Sequence, residues 1–223
     1  METFLSRTTT NTAALDRNAH DAQERAHAES LIFEACAALL VNEPSQDLLE
    51  AAQQLARMLE RPIASDISDI DALKQRFFDR FLIPSSPWFV PANEQCIRKS
   101  SLTDSAVVFP SVEGEHSRHV IECYKVIDFD YRKLKGYAPA INRLLPDSIA
   151  SELAFVASMK LRESTAQTND LAQGYREYSD KFIDHHLAKW VNTYALYAER
   201  KGVDFYSEWA RLIASVVTEE TRG

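Results

Sequence analysis

Apolar residues recur at three- and four-residue steps along most of this chain, and prolines stand between the runs. That period keeps one face of an α-helix apolar, whereas a half-buried strand needs strict alternation. The first run begins near Ala19 and carries Ala28, Leu31, Ile32, Ala35, Ala38 and Leu39. Glu43-Pro44 ends it, because a proline disfavours helix in the residue before it. Ser45 is suited to cap a second helix that buries Leu48, Leu49, Ala52, Leu55, Ala56 and Leu59. So short a connection predicts an antiparallel pair. Asp69 is placed to cap a third helix with Ile70, Leu73, Phe77 and Phe81 on its apolar stripe.

Pro84, Pro87 and Pro91 then interrupt regular structure, with Trp88 and Phe89 among them. Such a loop either carries recognition or folds onto the core, and both readings stand. Residues 98–117 have no period and read as a long loop, with Val107-Val108-Phe109 β-prone but without a partner strand in view. A helix over about 118–128 turns Val120, Ile121, Tyr124 and Ile127 inward. Pro146 fits the opening of another, with Ile149, Leu153, Val156 and Met159 buried. Residues 162–170 are polar and read as a hinge. One helix then carries Phe182, His186, Trp190, Tyr194 and Tyr197 along one side; Gly202 ends it, and Asp204 opens a last helix burying Phe205, Trp209, Leu212 and Ile213.

With only 5 glycines, 45% hydrophobic residues and much Ala, Leu, Glu, Gln and Arg, the expectation is an all-α fold. Residues 1–18 are Thr-rich and polar and are expected to form an unstructured tail; residues 19–223 are expected to form a single domain. The net charge of -8 argues against nucleic acid, whose phosphates call for a basic surface, and suits attraction of a cationic peptide. Cys36, Cys96 and Cys123 are odd in number and widely spaced, which points to a reducing compartment rather than a disulfide framework. No stretch has the length of a signal-peptide core or of a membrane-spanning helix, so a cytoplasmic location is expected.

Catalytic motifs are missing: the chain has neither a glycine-rich phosphate loop nor a Gly-x-Ser-x-Gly elbow. Metal-ligand spacings do occur. Glu24-x-x-His27 and Glu113-x-x-His116 each match the pair used in di-iron bundles, which requires both on helices and facing inward. His116, His119 and Cys123 follow at steps of three and four, three possible zinc ligands without an evident fourth. A helical metal-binding protein or metallohydrolase using Glu24/His27 or His116/His119 is therefore the alternative to a binding protein. In Asp184-His185-His186 the two histidines point about 100° apart on a regular helix and cannot share an ion, so His186 is expected to hydrogen-bond inside the core.

Five segments, in order, resemble the TorD/DmsD/NarJ family of redox-enzyme maturation chaperones. They are the hairpin broken at Asn42-Glu43-Pro44-Ser45, the stretch Arg76 to Pro84, the loop Phe89 to Glu94, the stretch Leu145 to Phe155 with its Pro146-Asp147 and Glu152-Leu153 pairs, and Phe182-x-x-x-His186-Leu187-x-x-Trp190. Ser148 stands where the family's signature has histidine, and Ala92-Asn93 stand where its loop has an aromatic. The resemblance implies a TorD-like bundle of about 8–11 helices and a cytosolic, non-enzymatic chaperone without a cofactor of its own. It implies as partner the catalytic subunit of a molybdenum-cofactor oxidoreductase, held through its N-terminal twin-arginine leader before export. Trp88, Phe89, Pro91, Glu94, Asp147, Ser148 and Glu152 are the leader-binding candidates, and Phe182, His186 and Trp190 the structural motif. In this reading Asp147, Glu152 and Glu94 meet the guanidinium groups, to which a carboxylate offers a two-pronged partner; Asp147 is equally suited to capping a helix. Either a monomer or a dimer that exchanges helices across the 162–170 hinge is compatible with this pattern.

Overall fold

In a computed structural model the backbone of residues 2–102 and 107–220 is described, and of residues 2–19 and Leu102 the backbone alone. Ten α-helices lie in the described part, which confirms the all-α class. The first, α1, spans Glu2–Val41 and is followed by α2 (Gln46–Met58). The expected tail over residues 1–18 is met here only as backbone continuing α1 from Glu2, its side chains lying outside the described part. Ser45 caps α2 by accepting from the Leu48 amide at 3.3 Å. Asp69 caps α3 (Ile70–Phe77) by accepting from the Ala72 amide at 3.0 Å. Both expectations rested on a side-chain oxygen reaching an otherwise unpaired amide, and both hold.

After α3 the chain widens into one π-helical turn, Phe78–Leu82, closed by the Ile83 amide on the Phe78 carbonyl. Arg80, 3% exposed, points inward from this turn. Its guanidinium donates to Asp204 (2.9 Å), the Ala198 carbonyl (2.9 Å) and the Gly202 carbonyl (2.6 Å). The turn is thereby clamped to the junction of α9 (Leu187–Lys201) and α10 (Phe205–Glu220). Gly202 has φ +145, and a Cβ there would stand 2.0 Å from the Trp88 ring. Trp88 lies between that glycine and Arg76, whose guanidinium carbon sits 3.2 Å from the ring centroid.

The described residues within 98–117 hold more regular structure than expected. The short helix α4 (Glu94–Arg98) leads into a two-residue pairing of β1 (Ser101–Leu102) with β2 (Val107–Val108). Two-residue strands leave no alternation to read, so Val107 had no visible partner. Helix α5 starts at Glu115 and ends at Lys125, three residues earlier at each end than expected, and Ile121 faces outward from it. The four-residue α6 (Ala138–Ile141) follows.

The central helix is α7 (Ile149–Ser164), with α1 along one side and α8 (Asn169–His185) and α9 on others. Leu153, Phe155, Val156 and Met159 are buried around most of its circumference, as a helix enclosed by neighbours requires. Pro146 precedes α7 rather than opening it; Ser148 is the cap and accepts from the Ser151 amide at 3.2 Å. The 162–170 hinge shrinks to the residues between Ser164 and Asn169, and Thr168 caps α8. Trp209 of α10 donates to the Cys36 carbonyl at 3.3 Å, fastening the last helix to the first.

The long helix expected through Phe182, His186 and Trp190 is two helices. It breaks at His186, whose backbone lies at φ -116 and ψ -90. Neither proline nor glycine stands there; a contact made by the His186 side chain supplies the reason.

Candidate functional site

Three of the sequence segments singled out above converge. The Asn93 and Ser148 backbones form an antiparallel bridge, with the Glu94 amide donating to the Asp147 carbonyl (2.8 Å) and the Ile149 amide to the Ala92 carbonyl (2.9 Å). The starts of α4 and α7 are thus zipped together. Asn93 offers α4 no side-chain cap. Asp147 does so from the neighbouring segment, accepting from the Gln95 amide at 2.9 Å. Its capping reading holds, but for the partner helix rather than its own.

The third segment joins through Glu94. One oxygen accepts from Arg98 (2.6 Å) and the other meets His186 Nδ1 at 2.7 Å. This bond draws His186 out of helical register and accounts for the break between α8 and α9. Trp190 Nε1 donates to Glu152 Oε2 at 3.1 Å. An oxygen of Glu94, one of Glu152 and a ring nitrogen of His186 lie within 4.8 Å of one another, all buried. Phe182 stacks on His186 with centroids 4.7 Å apart.

The electrostatics follow from burial and pairing. Burial, together with the Glu94 carboxylate, raises Glu152 well above the usual carboxylate range. Burial likewise raises Asp147. Burial opposes the ionised form of Glu94 too, yet His186 and Arg98 outweigh it and lower this carboxyl. For His186 burial disfavours the charged ring, but Cys123 and Glu94 more than compensate and hold it up to about 9. Folding therefore retains a proton that the unfolded chain releases near its ordinary value of about 6.5. The pair's stabilisation is complete below that value and is lost as pH rises through about 9. Urea unfolding is expected to show about 2–3 kcal/mol of stability lost between pH 6.5 and 9, with the slope largely removed in His186→Gln. An unchanged slope in that variant would refute the assignment.

These placements revise the sequence reading of the carboxylates. Glu94, Asp147 and Glu152 are fully buried, so in this conformation none reaches an arginine of a passing peptide. They organise the framework under a surface instead. That surface is an apolar groove of about 320 Å³, with Asn93 and Ser148 of the bridge in its lining. Phe89, Pro91, Phe81, Leu82, Leu144 and Val112 supply much of its wall. Phe89 and Pro91, two of the leader-binding candidates, line this groove. Trp88 is not among the lining residues; it packs on Gly202, the folded-on-core alternative for this residue. Sequence reasoning missed Phe81, whose helical spacing marks it only as apolar, and Leu144, which lies outside any helix.

A larger cleft, about 480 Å³ beside α1, α7, α8 and α10, mixes charged side chains with apolar ones such as Ile32, Phe33 and Val216. Its buried Lys160 is paired with Glu29 at 2.8 Å and with Glu220, and one oxygen of its Glu163 accepts from Arg176 at 2.6 Å.

The metal expectations divide. Glu24 and His27 are exposed on α1, Glu24 meeting only His20 at 3.2 Å, so they cannot form half of an inward-facing di-iron site. His116 does not join His119; it lies 4.0 Å from Glu94 and 3.7 Å from Glu115. His119 and Cys123 meet His186 instead.

Residues 111–195 match the family model described as nitrate reductase delta subunit. The match takes in Asp147, Glu152, Phe182, His186 and Trp190 and leaves out the Pro-rich loop and Glu94. No curated protein and no solved structure matches the chain.

Proposed function

We propose that the chain is a cytoplasmic, non-catalytic chaperone that holds the apo catalytic subunit of a molybdoenzyme by an apolar segment of its N-terminal leader, a reading supported by the match of residues 111–195 to the nitrate reductase delta subunit model. The observation that carries this reading is the groove beside the Asn93–Ser148 bridge, where two family-like segments meet and where apolar side chains stay uncovered. An apolar stretch of peptide gains by leaving water, at about 25 cal/mol for each Å² buried. The net charge of -8 draws a cationic leader towards the surface at long range. Arg80 and Arg143 are the charged residues of the groove lining, so the groove itself suits the apolar part of a leader rather than its arginines. No helix among the described residues is long and apolar enough to cross a membrane.

Calorimetric titration with the synthetic leader of a molybdoenzyme encoded beside this chain tests the reading. Val112 lines the groove, is 42% exposed, and can accept a charge without disturbing the core. Val112→Asp is expected to weaken binding about tenfold, or about 1.4 kcal/mol, with stability unchanged. Equal affinity in that variant would move the site elsewhere. Failure of the chain to bind either leader or apo subunit would end the chaperone reading.

A further inference from the structure

His119 and Cys123 sit four residues apart on the same face of α5, and His186 approaches them from the break between α8 and α9. His119 Nδ1 lies 2.8 Å from His186 Nε2, and Cys123 Sγ lies 4.0 Å from each. From this geometry we propose that His119, Cys123 and His186 form a three-ligand site for a divalent transition ion of zinc type, with its fourth position open to solvent.

The chemistry of the donors selects the ion. Two imidazole nitrogens and one thiolate suit zinc and its neighbours and do not suit magnesium or calcium, which take oxygen ligands. Zinc–nitrogen bonds of about 2.05 Å and a zinc–sulfur bond of about 2.3 Å put tetrahedral ligand atoms about 3.4 Å apart for N···N and about 3.6 Å for S···N. Each observed separation needs to change by only about half an ångström, the nitrogens opening and the sulfur closing. The site also has a built outer shell. Glu94, fully buried, holds His186 Nδ1 at 2.7 Å and aims Nε2 at the other two donors, the carboxylate–histidine arrangement that fixes ring orientation and raises ligand basicity. Binding displaces the proton shared between the two rings and the Cys123 thiol proton, both leaving to solvent. His119 is exposed and Cys123 partly so, which gives the ion a path in and leaves the fourth position for water or a partner's side chain. The three ligands lie on α5 and the α8–α9 junction, away from the groove lining, so the proposal stands or falls independently of the chaperone reading.

Titrating the reduced, tag-free full chain with Co(II) tests it. One equivalent is expected to bind with tetrahedral visible bands and a thiolate-to-cobalt charge-transfer band, and Zn(II) should displace it. Cys123→Ser is expected to lose the charge-transfer band and His119→Ala to weaken binding, while Cys96→Ser and His185→Ala keep both. As a check on the intact chain, Zn(II) should protect Cys123 from alkylation. Absence of binding, a cobalt spectrum without the sulfur band, or an unchanged spectrum in Cys123→Ser would each overturn the site.

Discussion

Glu94→Ala is expected to lower the unfolding free energy by about 3–5 kcal/mol, the cost of stripping one partner from a buried ion pair. The Glu94 carboxylate is fully buried and serves His186 at 2.7 Å and Arg98 at 2.6 Å. Alanine leaves an imidazole that is 3% exposed without its counter-charge. The ring then gives up its proton, so its titration should move down from about 9 towards or below the ordinary histidine range. Glu94→Gln keeps the shape and one acceptor but no charge, and should lose less. For a domain of this length, the alanine variant should melt roughly 10 °C lower. Chemical unfolding joined to NMR titration of His186 separates the effects. A loss below about 1 kcal/mol with the His186 titration unmoved would mean that the pair is not what holds this junction. The consequence for function is direct, since α4 begins at Glu94 and the bridge beside the groove ends there.

How much of this was legible beforehand depends on whether the deciding interaction was local. Ser45 and Asp69 each cap a helix through the amide three residues on, and Gly202 with Asp204 ends one helix and starts the next. Such signals need no knowledge of the fold. The break at His186 has no local signal; the pull comes from Glu94, 92 positions earlier. The hairpin at Val107 escaped for a related reason, its strands being too short to show a period. The acidic candidates were found as residues but misread in role. A carboxylate in a sequence looks available to a cationic partner, while burial decides whether it is ionised and whether anything outside can reach it. Burial and the neighbouring Glu94 raise the Glu152 carboxyl, and Asp147 spends one oxygen on the amide of Gln95. The metal spacing shows the same limit. His119 and Cys123 stood out at helical distance, but the third donor nearest them is His186 from another element, not His116 from their own.

Trp190→Ala is expected to cost about 3–5 kcal/mol, chiefly from the volume left empty. Trp190 is fully buried on α9, with the Tyr194 ring 6.0 Å away, and its indole N–H reaches the Glu152 carboxyl on α7. Two contributions are mixed in that number, and Trp190→Phe separates them. Phenylalanine retains most of the apolar volume but offers no donor, so it should cost about 1–2 kcal/mol, the value of one buried hydrogen bond plus a small void. Burial favours the neutral form of the Glu152 carboxyl, and the loss of a bond to a neutral group puts the phenylalanine penalty at the low end. Urea unfolding of the two variants side by side reads the split. If phenylalanine is as costly as alanine, the polar contact rather than the packing ties α9 to α7, and Glu152 must then be ionised despite its burial. If phenylalanine is nearly silent, the indole acts by bulk alone and the Glu152 carboxyl is satisfied from the Glu94 side. Either outcome fixes the charge at the centre of the framework beneath the groove.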